Sequence, residues 1–147
     1  MSKSLVEIAK EYSRAWAEHD PDAIAAMHTD DSVFHLHDIC TPATGRPAVR
    51  ALIVALLAAT PDLRFELRRI HFGSEHFVSE YVMSGIAEGQ AFAISGADVF
   101  TIRDGFVARK DSYLDWLAYQ HQVGFDPASR FRAIGSETKI GGGPGVP

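Results

Sequence analysis

Cysteine is nearly absent from this 147-residue chain: Cys40 stands alone, so no internal disulfide holds the fold. Long apolar runs are also missing. Ala51–Ala59 is nine residues and Pro61 stops it, half of the 18 or so that a membrane-spanning helix needs. Positive charge is scarce, with 14 Lys and Arg against 19 Asp and Glu; a net charge of −5 offers no field for phosphates and argues against a nucleic-acid partner. Dinucleotide fingerprint, P-loop, HExxH motif and cysteine pairs are all absent, so the expectation is a protein without a cofactor, whose chemistry rests on side chains. The first residues, Met1-Ser2-Lys3-Ser4, lead straight into a helical pattern rather than a signal peptide's apolar core, and a lone cysteine fits a reducing compartment, so the chain reads as cytoplasmic.

What is present is a composition fit for a core. Hydrophobic residues make up 46% of the chain, too many for disorder, and the length suits one domain. Leu5, Ile8, Ala9, Tyr12, Ala15 and Trp16 recur at helical spacing and predict a helix over Ser4–His19, with Ser4 and Glu7 as a capping box. Asp20-Pro21 starts a short second helix to His28, and Thr29-Asp30-Asp31 reads as a turn. Ser32–Asp38 is a strand with Val33, His35 and His37 on one face and Phe34, Leu36 and Asp38 on the other. Pro47 opens a third helix to about Thr60, apolar over most of its surface and expected to be well buried. Four strands follow at Leu63–Phe72, Phe77–Ile86, Ala91–Ile102 and Phe106–Leu114, with Asp104-Gly105 as the strongest hairpin signal and Ser95-Gly96 suggesting a bulge. Asp115 to about Gln122 is a last short helix stopped by Gly124. The domain spans residues 1–126. Residues 127–147 form a tail, flexible from about 141, which Phe125, Phe131 and Ile134 could pack before it frays. This order gives an α+β domain with helices against one curved sheet.

These elements, the phrase Ala15-Trp16-Ala17-Glu18-His19-Asp20, Thr44-Gly45-Arg46, and Asp98-Val99-Phe100 ahead of Asp104-Gly105 resemble the NTF2-like superfamily, and within it the SnoaL-like polyketide cyclases and ketosteroid isomerases. The resemblance covers residues 4 to 124. It implies a cone in which a highly curved antiparallel or mixed sheet wraps N-terminal helices and encloses an apolar pocket. It also implies homodimers paired through the sheet's outer face, which suits the apolar residues on both faces of Phe77–Ile86. By the same resemblance Tyr12 and a neutral Asp98 would donate to an oxyanion and Asp38 would be the base, or His37 if the register slips by one. This is the isomerase arrangement that serves as a standard illustration of divergent carboxyl pKa values. The cyclase pattern offers Asp115 as acid/base, with Asp111 a weaker match. Trp16, His35, His37, Phe100 and Trp116 would line the substrate. Ser79-Glu80-Tyr81-Val82-Met83 lacks the Arg-x-Asp pair of limonene epoxide hydrolase, and that reading is set aside.

Plainer readings stand beside these. Tyr12 and Trp16 share a helix face and would pack in any core. Asp98 could face outward or pair with Arg103 or Lys110, Asp38 could merely cap a loop, and Asp115 could cap the last helix. His35 and His37 share a strand face and invite a metal, but the sequence names no third ligand, so they read as polar pocket or interface side chains. His28, His71, His76 and His121 read as surface or rim. The functional expectation is a cofactor-independent isomerase, cyclase or other lyase acting through an enolate on a small hydrophobic carbonyl compound. The alternative is a pocket that binds without catalysis, or a dimerisation domain.

Overall fold

A computed structural model describes residues 3–131. Helix α1 (Leu5–Ala17) begins where Ser4 Oγ accepts the backbone N–H of Glu7, and it buries Ile8, Tyr12, Ala15 and Trp16 along one stripe. Helix α2 (Pro21–Ala26) is capped by Asp20, whose Oδ1 accepts from Ala23 N. The chain then enters β1 (His28–Leu36) directly. The turn expected at Thr29-Asp30-Asp31 is instead an irregularity inside the strand: β1 pairs at His28, loses register, and resumes at Val33. Asp30 and Asp31 bulge out there to meet Arg46 and Arg103.

A two-residue strand, β2 (Ala43–Thr44), precedes α3 (Arg46–Ala59). This helix buries Val49, Leu52 and Ile53 but leaves Val54 39% exposed. The expectation of burial over most of its surface is therefore corrected: α3 packs one stripe on β1 and α2, and solvent covers the other side. Strands β3 (Arg64–Phe72), β4 (His76–Ala87), β5 (Gln90–Arg103) and β6 (Phe106–Leu114) form an antiparallel meander. The β4–β5 and β5–β6 turns put Glu88-Gly89 and Asp104-Gly105 at positive φ throughout, as two-residue hairpins demand. The sheet order is β2-β1-β6-β5-β4-β3, with β1 parallel to β6, so the first strand closes against the last.

No bulge falls at Gly96. The β4–β5 ladder runs through it unbroken, and the β5–β6 shift lies at Thr101/Ile102. Gly96 is there for closeness instead: a Cβ would stand 2.9 Å from Leu114 Cγ and 3.0 Å from Tyr81 Cε1. Helix α4 (Trp116–Val123) is capped by Asp115 and ended by Gly124 in the left-handed region, and it packs on β5. A 3-10 turn at Pro127–Phe131 follows. The expected flexible stretch from about 141 and the packing of Ile134 lie outside the described residues.

Candidate functional site

Alternation along β4, β5 and β6 sends Phe77, Ser79 and Tyr81, then Asp98 and Phe100, then Lys110, to the side of the sheet that faces α1. Between them lies a cavity of about 700 Å³, within the usual size for a small-molecule site. Tyr12 and Trp16 of α1 form one wall, Phe65, Leu67 and Ile70 of β3 another, and His19, Asp62 and Arg64 stand among its lining as the charged or titratable groups away from the floor. The rings interlock: Phe77 stacks on Phe100 at 4.4 Å, Tyr12 meets Phe100 edge-on at 5.1 Å, and Phe65 meets both Trp16 and Tyr81 edge-on.

A polar set sits in this aromatic floor. Asp98 is 6% exposed, and its Oδ1 accepts from Tyr81 Oη at 2.8 Å and from Ser112 Oγ at 2.6 Å. Its Oδ2 lies 3.6 Å from Lys110 Nζ, an ion pair just beyond hydrogen-bond reach. Lys110 is 4% exposed and its ammonium lies 4.5–5.5 Å from the rings of Trp16, Phe34, Tyr12 and Phe100. An ammonium removed from water costs several kcal/mol, and the paired carboxylate and four ring faces are what offset it here. Burial and the neighbouring Asp98 carboxylate push the Tyr81 phenol well above its ordinary range. Burial also raises Tyr12, against the pull of Lys110.

Tyr12 Oη lies 3.0 Å from His28 Nε2. Burial first, then Lys110 and Arg46, push the His28 imidazole down to about 3, so a neutral ring meets a neutral phenol. His28 is fully buried rather than at the surface, because β1 begins one turn earlier than the Thr-Asp-Asp signal suggests. His28 Nδ1 and Ser32 Oγ are buried polar atoms with no hydrogen-bond partner among the described residues.

Of the residues singled out in the sequence, Tyr12, Trp16, Asp98 and Phe100 come together at the cavity. Asp98 meets two hydroxyls at Oδ1 and turns Oδ2 toward Lys110. Asp38 does not join them. The strand ends at Leu36, the chain turns, and Asp38 takes φ 67°, so it leaves the inward alternation of Phe34 and Leu36 and is exposed. His35, His37 and Asp111 lie on the opposite face of the sheet. His37 Nε2 is 2.8 Å from Asp111 Oδ1, and Arg109 grips both oxygens of that carboxylate. Asp115 caps α4 through Ala118 N, and Trp116 donates to the His37 carbonyl, so neither lines the cavity. Of the two cations offered as partners of Asp98, Lys110 is the one beside it, whereas Tyr81, Ser112 and His28 are residues that sequence reasoning missed. Period-2 spacing from Lys110 was the signal available for Ser112. Cys40 is buried, and burial pushes its thiol up to about 11, which makes it a poor nucleophile.

Among curated proteins no sequence matches the chain. Solved structures do. A protein from Catenulispora acidiphila DSM 44928 with a ketosteroid isomerase-like fold, in complex with trimethylamine, aligns at TM-score 0.75 and 22% identity, over 84% of this chain and 95% of its own. A candidate polyketide cyclase from Xanthomonas campestris pv. campestris aligns at TM-score 0.70 and 23% identity, over 80% and 95%. TerC, co-crystallised with polyporic acid, aligns at 0.73 and 12% over 82% and 98%. At these identities the likeness is one of fold. The family profile of the SnoaL-like domain matches residues 9–110, more than two thirds of the length. The chain therefore belongs to the SnoaL-like domain family and carries the NTF2-like, ketosteroid isomerase-like fold.

Proposed function

We propose that this protein is a general acid/base enzyme that moves a proton beside the carbonyl of a hydrophobic cyclic compound of the polyketide or steroid type. The observation that carries the reading is the Asp98 carboxylate, held by Tyr81 and Ser112 against Lys110 on the floor of an aromatic cavity. Asp98 takes the proton α to the carbonyl. Tyr81 and Ser112 hold the carboxylate in place, as positioning residues. Lys110 and Tyr12 lie where negative charge on an enolate oxygen gains most, because the walls exclude water and strengthen each donor. The lining suits the substrate class: aromatic and aliphatic side chains make up much of it, with the Asp98–Lys110 pair on the floor and His19, Asp62 and Arg64 away from it. The TerC complex with polyporic acid is one instance of this fold with an organic acid as ligand.

A second reading is a pocket that binds such a compound without turning it over. It draws on the same geometry, since both Asp98 oxygens already have partners. We also infer a homodimer through the sheet's outer face, where Val78, Val82 and Val99 are half-buried. Sedimentation should give twice 16.1 kDa; a 16.1 kDa species at micromolar concentration rejects it.

The test is isomerisation of a β,γ-unsaturated 3-ketosteroid followed by conjugated-enone absorbance, alongside binding followed by Trp16 fluorescence in a Trp116→Phe background. Asp98→Asn should lower turnover by roughly 10²–10⁴-fold while leaving binding in place. Binding without turnover by the parent protein supports the second reading. Full turnover in Asp98→Asn removes the first.

A further inference from the structure

Across the sheet from the cavity, three ligand-type side chains converge that no part of the proposed proton transfer uses. His35 of β1 lies in register with Asp111 of β6, and His37 follows two residues later. One ligand atom from each, taken together, fall within 4.8 Å of one another. His37 Nε2 stands 2.8 Å and His35 Nδ1 4.0 Å from the same Asp111 Oδ1. Atoms bound about 2.0–2.1 Å from a tetrahedral ion stand roughly 3.3 Å apart, so shifts of about an ångström convert the observed spacing into a chelate.

The surroundings already hold these groups in orientation. Arg109 donates to Asp111 through Nε at 2.8 Å and Nη2 at 2.9 Å, and with an ion on Oδ1 it retains Oδ2. Tyr113 stacks on the His37 ring at 4.0 Å and 16°, and the His35 and His37 rings lie 3.7 Å apart. Trp116 Nε1 fixes the His37 carbonyl at 3.0 Å. The side chains are 23%, 23% and 14% exposed, sheltered but open to an arriving ion. Two imidazoles and one carboxylate select a divalent first-row transition ion over magnesium or calcium, which take oxygen ligands.

We propose that His35, His37 and Asp111 form a binding site for a divalent transition-metal ion of the zinc class on the outer face of the sheet. The ion ties β1 to β6, the one parallel seam among the described strands, and leaves coordination positions facing outward. Val99 of the inferred dimer face lies opposite Asp111 in the β5–β6 register, so the site borders that face.

The test uses the full chain, stripped with chelator and titrated with Zn²⁺ by calorimetry and with Co²⁺ by visible absorbance, with the melting temperature followed in parallel. Binding of one ion and a rise in melting temperature are expected. His35→Gln leaves the His37–Asp111–Arg109 contacts intact, so it should fold while weakening uptake by at least the roughly 10–100-fold that even outer-shell changes cost. Asp111→Asn should do the same, and His121→Gln, an exposed histidine on α4, should bind like the parent. No heat and no cobalt spectrum up to millimolar metal overturns the proposal. So does parental affinity in His35→Gln and Asp111→Asn, or a loss in His121→Gln equal to theirs.

Discussion

The two faces of the sheet carry the same pairing of aspartate with a cation, one residue apart on β6, in opposite surroundings. Inward, Lys110 meets Asp98 at 3.6 Å with side-chain exposures of 5% and 9%. Outward, Arg109 grips Asp111 at 2.8 Å with exposures of 43% and 14%. The outer pair has the shorter contact, yet geometry does not rank them. Water and salt screen the outer pair, whereas the inner pair has only its partner and the rings to replace hydration. The inner pair is therefore costly to break and chemically poised. The outer pair is cheap to break and orients a neighbouring group.

Removing one partner inside should produce the largest effect. Lys110→Met leaves the Asp98 carboxylate buried without its cation, and urea unfolding should register a loss of about 3–5 kcal/mol. Adding Asp98→Asn to it should recover much of that. If Lys110→Met costs no more than an exposed pair, the contrast between faces fails. Next comes acid. His28 is held neutral down to about 3 when folded but gains a proton near 6.5 when unfolded. Its contribution is therefore fully present above pH 6.5 and is lost as pH falls toward 3, at roughly 1.4 kcal/mol per unit in that window. Thermal melts of His28→Gln should lack this slope between pH 6.5 and 4, with the parent losing melting temperature faster.

Ser112→Ala deletes one of two hydroxyl donors to a buried carboxylate and should cost about 1.5–3 kcal/mol in the same urea assay. Asp111→Asn should cost least, about 0.2–1 kcal/mol, and that cost should shrink in high salt. Persistence of the Asp111→Asn effect at 1 M salt, where screening acts within about 3 Å, would mean that the outer pair is as sheltered as the inner one.

Much of this fold is legible in the chain because local signals agree with it. Ser4 and Asp20 cap the helices they precede, Asp104-Gly105 makes its hairpin, and Asp115 and Gly124 bracket the last helix. Half of the candidate site is legible as well, since Tyr12 and Trp16 follow a helical stripe whose buried side is unambiguous. The remainder depends on which way a strand faces, and alternation leaves that choice open. Alternation places Asp38 on the face of Phe34 and Leu36, but β1 ends at Leu36 and Asp38 lies in a positive-φ turn beyond it. The Asp98–Lys110 pair is one of the plainer readings of the sequence, but a lone lysine in a strand ordinarily points to water, so alternation alone does not bury it. Only the β5–β6 register, which sets Asp98 against Ser112 and Phe100 against Lys110, turns it inward. The metal reading of His35 and His37 lacked a third ligand for the same reason: Asp111 is far away in sequence and adjacent only through parallel pairing.

That pairing of the first strand with the last also governs the order of assembly. On the ribosome, Tyr12, Trp16 and Phe34 emerge early, but Lys110, which three of their rings approach from above, is among the last residues of the sheet to be made. Until β6 is released, β1 has no strand on that edge, and Phe34 lacks the Lys110 side chain that lies over its ring. The closing contact joins residues more than half the domain apart and so carries a loop-closure entropy that slows folding and exposes the nascent chain to aggregation. A nascent chain stopped before Phe106 would leave one edge of β1 and one edge of β5 unpaired.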